Sequence, residues 1–207
     1  MQKRRGCKGA LTHSSEFYLA IEGIDGTGKT HVAKAISNSI GLKFIKEPSD
    51  NDIGKLIYSK SWDPRTDFFL FFADRIELLN GIKGDVVSDR SLWSTFAYQG
   101  AELSKIFGGI DNFYIVFKEI SKMLPRVPDY VILLQGDPEL AVNRIKKERE
   151  FSRFEKLEYL TRVKDNYSYL LKKENNFIEI NADQELNSLI EESVSKAKEL
   201  LHKVRPL

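Results

Sequence analysis

Short apolar runs alternate along the chain with longer stretches whose apolar residues recur at helical spacing. Phe17-Tyr18-Leu19-Ala20-Ile21 is almost continuously apolar and stops at Gly23, the pattern of a strand buried on both faces. Val32, Ala33, Ile36 and Ile40 then follow helical spacing, with Gly41 as a stop, which predicts a helix over 29–40. Leu42 to Ile45 predicts a second strand ended by Glu47-Pro48, and Asp67 to Ile82 a helix with an aromatic face. Asp85 to Ser88 predicts a short strand running into Asp89-Arg90. Helices are expected over 92–107 and 111–124, split by Gly108-Gly109, and a strand over Tyr130 to Leu134. Asp137-Pro138 supplies a helix N-cap and a proline for the first turn. Charged helices follow over 138–150 and 155–174, then a strand over Phe177 to Ile180 and a helix over 184–203. Strands separated by helices predict a mostly parallel α/β sheet with right-handed crossovers.

Composition narrows the class. With 42% hydrophobic and 30% charged residues, the chain is neither disordered throughout nor collagen-like. Its longest strongly apolar run, Phe68 to Ala73, falls far short of the ~20 residues of a membrane span, so no membrane partner is expected. A lone cysteine, Cys7, rules out an intramolecular disulfide framework and a cysteine-built zinc site, and points to a reducing, cytoplasmic compartment. The net charge of +2 is unevenly spread: residues 1–15 carry Lys3, Arg4, Arg5 and Lys8 without an acid. The rest of the chain is therefore slightly acidic, and nucleic acid is not an expected partner. Residues 1–15 lack periodicity and the apolar stretch of a secretory signal, and are expected to be a disordered basic extension. Residues 16–207 are expected to form one domain.

The sharpest chemical signal is Gly23-Ile24-Asp25-Gly26-Thr27-Gly28-Lys29-Thr30, which matches G-x-x-x-x-G-K-[ST]. Its glycines let the backbone curl so that N–H groups face a phosphate. Lys29 is placed to reach the β- and γ-phosphates, the Thr30 hydroxyl to ligate Mg²⁺, and the helix start at Gly28 to add its positive end. An expected strand before the loop and an amphipathic helix after it are the arrangement that gives this motif meaning. Asp25 is an unusual acid for a loop that holds polyanions; a role toward a sugar hydroxyl and a solvated position are both open.

Other candidates are weaker on spacing alone. Asp89 and Arg90 fall at the carboxyl end of a strand, the edge that faces the ligand crevice in open parallel sheets. There an aspartate can hold Mg²⁺ or orient an acceptor oxygen, and an arginine can clamp a phosphate. Phe71 and Arg75 stand four apart on one helix face, able to stack on and hydrogen-bond to a planar base. Phe68, Phe69 and Phe72 are expected in the core. Tyr98 and Gln99 offer a phenol and an amide, with a core tyrosine and a surface glutamine as the default. Residues 144–164 hold eight basic and four acidic side chains, mostly solvated helix faces. Within them Lys147 to Arg153 breaks helical periodicity, and a lid is expected at about 147–154. Arg149 and Arg153 are its candidates for stabilising charge on a transferring phosphoryl group.

Taken together, these segments resemble the thymidylate kinases of the P-loop nucleoside monophosphate kinase group, from about Phe17 to Ala182. The resemblance rests on Glu22 to Thr30, Glu47-Pro48, Phe71 to Arg75, Ser88-Asp89-Arg90, Ser94 to Gly100, Pro128-Asp129 and Arg153-Phe154-Glu155, in that order. It implies a P-loop NTPase fold with a five-stranded parallel sheet, and transfer of phosphate from ATP to dTMP with Mg²⁺. By the resemblance Asp25 holds the dTMP sugar, Phe71 stacks on thymine, and Arg75 and Gln99 read the base. Glu47 and Tyr98 join that acceptor site, Arg90 holds the dTMP phosphate, and Asp89 organises metal and acceptor. A homodimer is also implied.

Some members carry a catalytic arginine where this chain has Gly26; others take it from the lid, and here Arg149 is preferred over Arg153. Three segments depart from the family pattern: Lys46-Glu47-Pro48-Ser49 where Arg-Glu-Pro-Gly is usual, Ser91 where an aromatic or histidine commonly follows Asp-Arg, and Gln135-Gly136 where an acid usually ends the strand. Competing readings are a deoxynucleoside kinase acting on thymidine, a P-loop switch that hydrolyses ATP slowly, and a catalytically weak nucleotide-binding paralogue.

Overall fold

A computed structural model describes residues 16–148, 154 and 156–205. Its sheet has five parallel strands: β1 (Tyr18–Glu22), β2 (Lys43–Lys46), β3 (Val86–Asp89), β4 (Tyr130–Gln135) and β5 (Phe177–Asn181). They lie in the order β2-β3-β1-β4-β5. Among the described residues, the helices are α1 (Lys29–Ile40), α2 (Asp52–Tyr58), α3 (Pro64–Asn80), α4 (Leu92–Leu103), α5 (Ile110–Ser121), α6 (Pro138–Glu148), α7 (Leu157–Lys173) and α8 (Leu186–Val204). The expected α/β architecture, a parallel sheet flanked by helices, is what the chain adopts.

Alternation along β1 sorts the two layers. Phe17, Leu19 and Ile21 face α1 and α8 in one cluster with Val32, Ile36, Leu189 and Leu200. Tyr18 and Ala20 face the other way, into a cluster with Phe72, Phe96, Phe117, Leu160 and Tyr167 from α3, α4, α5 and α7. Both faces being covered explains why the strands read as apolar runs rather than alternating patterns. The chain order leaves β1 and β3 side by side, with Ile21 in register with Asp89. The phosphate loop after β1 and the Asp89-Arg90 turn after β3 therefore open on the same sheet edge.

Two expectations about local structure fail. Helix α2 lies where the sequence pattern predicts no element: it has seven residues and contains Gly54, and it is started by Asn51, whose Oδ1 accepts from the Gly54 amide at 2.8 Å. A Cβ on Gly54 would lie 1.8 Å from the Ser49 carbonyl oxygen, so that close approach requires glycine. The second failure is Phe69, which is 64% exposed rather than in the core, whereas Phe68 and Phe72 are buried as expected. Helix α3 also starts earlier, at Pro64 after the Asp63 cap, and the helix expected over 92–107 ends at Leu103.

Candidate active site

The phosphate loop keeps its shape through its own contacts. Thr27 Oγ1 donates to the Ile24 carbonyl at 2.8 Å, and Gly23, Gly26 and Gly28 all have positive φ. At Gly26, with φ of 83°, a Cβ would also sit 2.6 Å from the Ala141 carbonyl oxygen of α6. That position excludes a side chain for two separate reasons. Lys29 is buried, and its ammonium donates to the Ile24 carbonyl at 2.7 Å. Burial, together with the nearby Arg90 charge, lowers its pKa to about 8 against the opposing pull of Asp25, Asp89 and Glu22.

Thr30 and Asp89 come from different elements and meet: Thr30 Oγ1 donates to Asp89 Oδ2 at 2.5 Å. Two hard oxygen donors at the mouth of a phosphate loop fit Mg²⁺, which uses few protein ligands and keeps waters and phosphates as the others. No group of three His, Cys, Asp or Glu gathers among the described residues.

Arg90 sits at the centre. It is the non-glycine residue with positive φ (79°) among the described residues, and its backbone is tied down: its N–H donates to the Ile21 carbonyl at 3.0 Å and its carbonyl accepts from Ser88 Oγ. Strain of this kind persists only where neighbours enforce it. Its guanidinium donates to Asp25 Oδ1 at 2.5 Å and to Ser94 Oγ at 3.0 Å, and lies over the Tyr98 ring, 4.8 Å from its centroid. Tyr98 donates its hydroxyl to the other Asp25 oxygen at 2.8 Å. Burial alone would raise the Asp25 pKa; Arg90 and Lys29 outweigh it and leave the carboxyl below its usual value.

Beside this network Arg75, fully buried on α3, is gripped by three partners. It donates from Nε to Glu47 Oε2 at 2.7 Å, from Nη1 to Thr95 Oγ1 at 3.1 Å and from Nη2 to the Ser91 carbonyl at 2.9 Å. Glu47 Oε1, on the same carboxylate, is buried without a hydrogen-bond partner among the described residues. Burial raises the Glu47 pKa to about 7, against the lowering effect of Arg75.

Two cavities flank Arg90. One, of about 560 Å³, is floored by residues 25–31 and walled by Lys46, Asp89, Arg144, Ala182 and Leu186. The other, about 40 Å³ and so too small for a nucleotide until its walls part, brings together Asp25, Glu47, Phe71, Arg75, Tyr98 and Gln99 with Phe154. Asp25 and Arg90 line both. Gln99 is therefore on a cavity wall and 3% exposed, not on the surface. The expected sugar-binding acid, Asp25, has both oxygens engaged by Arg90 and Tyr98. Arg149 and Arg153, and most of the expected lid, lie outside the described residues.

Glu22 opens the Glu22 to Thr30 segment of the resemblance, yet the sequence assigns it no role. It is the last residue of β1, wholly buried, and takes hydrogen bonds from Ser91, Ser94 and Tyr167. A charge closing an otherwise apolar run, at the head of that segment, is the signal available.

A phosphate loop under one cavity, with a second cavity reached across a shared arginine, suits a donor nucleotide on one side and an acceptor on the other. By fold and site this is a P-loop kinase. The family model described as thymidylate kinase matches residues 21–193. A probable thymidylate kinase of Picrophilus torridus is 32% identical over 203 residues, covering 92% of this chain and 100% of that protein. Probable thymidylate kinase 1 of Saccharolobus solfataricus is 36% identical over 188 residues, covering 85% and 94%. The chain belongs to the thymidylate kinase family.

Proposed function

We propose that the protein transfers the γ-phosphoryl group of ATP to the phosphate of dTMP, yielding dTDP and ADP. The observation that carries this reading is the pair of cavities meeting at Asp25 and Arg90. Shared lining by Asp25 and Arg90 supports a donor phosphate on the loop close to an acceptor phosphate on Arg90. ATP occupies the larger cavity, its phosphates held by the loop amides and Lys29, and Thr30 and Asp89 are the residues that would hold Mg²⁺. The metal supplies charge neutralisation on the phosphates when bound.

The acceptor lies in the smaller cavity. Arg90 takes its phosphate bidentately, Phe71 stacks on the base, and Arg75 and Gln99 meet the base edge, with Glu47 holding Arg75 in place. Tyr98 and Asp25 border the sugar. A monophosphate acceptor is already anionic and needs positive charge more than a base. That charge is at hand in Arg75 and Arg90, which line the same cavity, and it supports dTMP over thymidine as the acceptor. A lid arginine, Arg149 before Arg153, completes the charge stabilisation in this reading.

The same reading includes a homodimer and a cytoplasmic location. α2 exposes Leu56 and Tyr58 and α3 exposes Phe69, apolar side chains that a second copy would cover. Sedimentation velocity tests that part: a single monomer boundary contradicts it. No helix among the described residues is long and apolar enough to cross a membrane.

Incubation of the purified protein with Mg-ATP and dTMP, followed by ion-exchange separation of nucleotides, tests the reaction itself. Equal amounts of dTDP and ADP are expected. ADP formed without dTDP would make the protein a hydrolase.

A further inference from the structure

The alternation that sends Tyr18 and Ala20 toward α4 and α7 sends Glu22 the same way, at the last position before the phosphate loop. Its carboxylate is the most heavily bonded group near the site. Oε1 accepts from the Ser91 amide at 2.7 Å, the Ser91 hydroxyl at 2.7 Å and the Ser94 amide at 3.1 Å. Oε2 accepts from the Ser94 hydroxyl at 2.6 Å and the Tyr167 hydroxyl at 2.7 Å. Five donors fill the roughly four lone-pair sites of the carboxylate, and four of the five come from Ser91 and Ser94.

The bonds converge on Arg90. Ser91 follows it directly and starts α4, so fixing the Ser91 amide fixes the strained turn in which Arg90 sits. The Ser94 hydroxyl, whose hydrogen points to Glu22, presents its lone pair to Arg90 Nη1 at 3.0 Å. Remove the carboxylate and that hydrogen has only the Tyr167 hydroxyl, 3.1 Å away, to turn to, and the acceptor presented to Arg90 is reoriented. Tyr167, from α7, anchors the opposite side of the same carboxylate.

We propose that Glu22 is a positioning residue for the acceptor phosphate: it holds the Ser91–Ser94 turn so that the Arg90 guanidinium stays aimed between the two cavities. It touches neither nucleotide and acts through Arg90. The inference rests on the reading that Arg90 binds the acceptor phosphate. Joining the phosphate-loop strand to the acceptor arginine through one side chain also keeps donor and acceptor in fixed relation, as in-line transfer needs.

The test compares binding of dTMP and thymidine, whose affinity ratio isolates the phosphate contribution, in the wild type, E22Q, R90A and the double variant. The E22Q substitution keeps the shape of glutamate but sets an amide N–H₂ against hydroxyl donors. E22Q is expected to weaken dTMP by about tenfold, the scale of a lost charge-assisted hydrogen bond, while thymidine and ATP change by less than about twofold. In the R90A background E22Q is expected to change nothing further, since its effect runs through the missing guanidinium. Y167F, which removes one donor and leaves the carboxylate in place, gives a smaller loss in the same ratio and serves if E22Q does not fold. Equal weakening of dTMP, thymidine and ATP by E22Q would reduce Glu22 to a structural residue and overturn the proposal. So would additive effects in the double variant. A ratio that survives R90A would instead show that Arg90 does not bind the phosphate, a failure of the underlying reading rather than of the Glu22 geometry.

Discussion

Arg90 and Asp25 face each other where the two cavities meet, Nη2 2.5 Å from Oδ1, with the Tyr98 hydroxyl closing the other carboxylate oxygen at 2.8 Å. An acid in a polyanion-binding loop is costly unless it does something specific. Here it balances the arginine that borders both cavities, and the arginine in turn keeps that acid ionised. Replacing Asp25 by asparagine removes the charge that orients Arg90. The kcat/KM for dTMP is expected to fall roughly 10- to 100-fold, as for a lost charge-assisted hydrogen bond, with KM for ATP little changed. Tighter dTMP binding by D25N would mean that Asp25 merely competes with the acceptor phosphate.

Lys29 predicts a pH dependence of definite sign. Its pKa of about 8 in the folded, nucleotide-free protein lies below the unfolded value near 10.4. The ammonium that grips phosphate is therefore lost as pH rises through 8, and kcat/KM for ATP should decline there. Stability moves the other way. Between pH 8 and about 10.4 the unfolded chain binds the extra proton, so the burden of burying this charge is relieved as pH rises through that window. Lys29→Met is expected to raise the urea midpoint at pH 7, with the advantage shrinking above pH 8. A midpoint difference that is constant between pH 7 and 10 would contradict the assignment.

Gly26 carries a prediction about the missing arginine. A side chain there meets both a left-handed backbone and the Ala141 carbonyl oxygen at 2.6 Å. Gly26→Ala should cost about 1–3 kcal/mol, read from chemical denaturation. Gly26→Arg should therefore not install a working arginine in the loop: both stability and kcat should fall. A gain in kcat would show that α6 gives way and that the loop can host the charge.

Phe69 and Phe72 separate exposure from core on one helix. Phe69→Ser is expected to change the stability of the folded subunit by no more than about 0.5 kcal/mol, as at other exposed positions. Phe72→Ala, in a cluster with Phe68 and Phe117, should cost about 3–5 kcal/mol. Equal losses would put Phe69 in a buried setting, and a loss confined to high protein concentration would place it in the contact between copies.

These residues also mark how far the sequence can be read. The strands around the phosphate loop follow from runs such as Phe17 to Ile21, because a sheet covered on both faces must be apolar at every position. The eight-residue loop is legible because its glycines answer to backbone geometry that no other residue meets cheaply. Helix α3 is ambiguous for the opposite reason: Phe68 to Phe72 is apolar all round, so no stripe marks the core side, and the pattern misplaces Phe69. Helix α2 is too short for periodicity to speak. Spacing offers Arg75 only as a weak candidate beside Phe71, and the family resemblance supplies its role and that of Gln99, since a buried arginine is defined by partners distant in sequence, such as Glu47. Glu22 escapes notice for the same reason, its partners lying 69 to 145 residues away.

Acceptor dependence is the property that separates a monophosphate kinase from a hydrolase or a thymidine kinase. ADP formation from Mg-ATP should be followed with dTMP, dUMP, dGMP, thymidine and no acceptor in separate reactions. Strong stimulation by dTMP, little by thymidine and almost none without acceptor is the predicted result. The same rate with and without acceptor, or turnover with thymidine but not dTMP, would contradict the assignment of the smaller cavity to a nucleoside monophosphate.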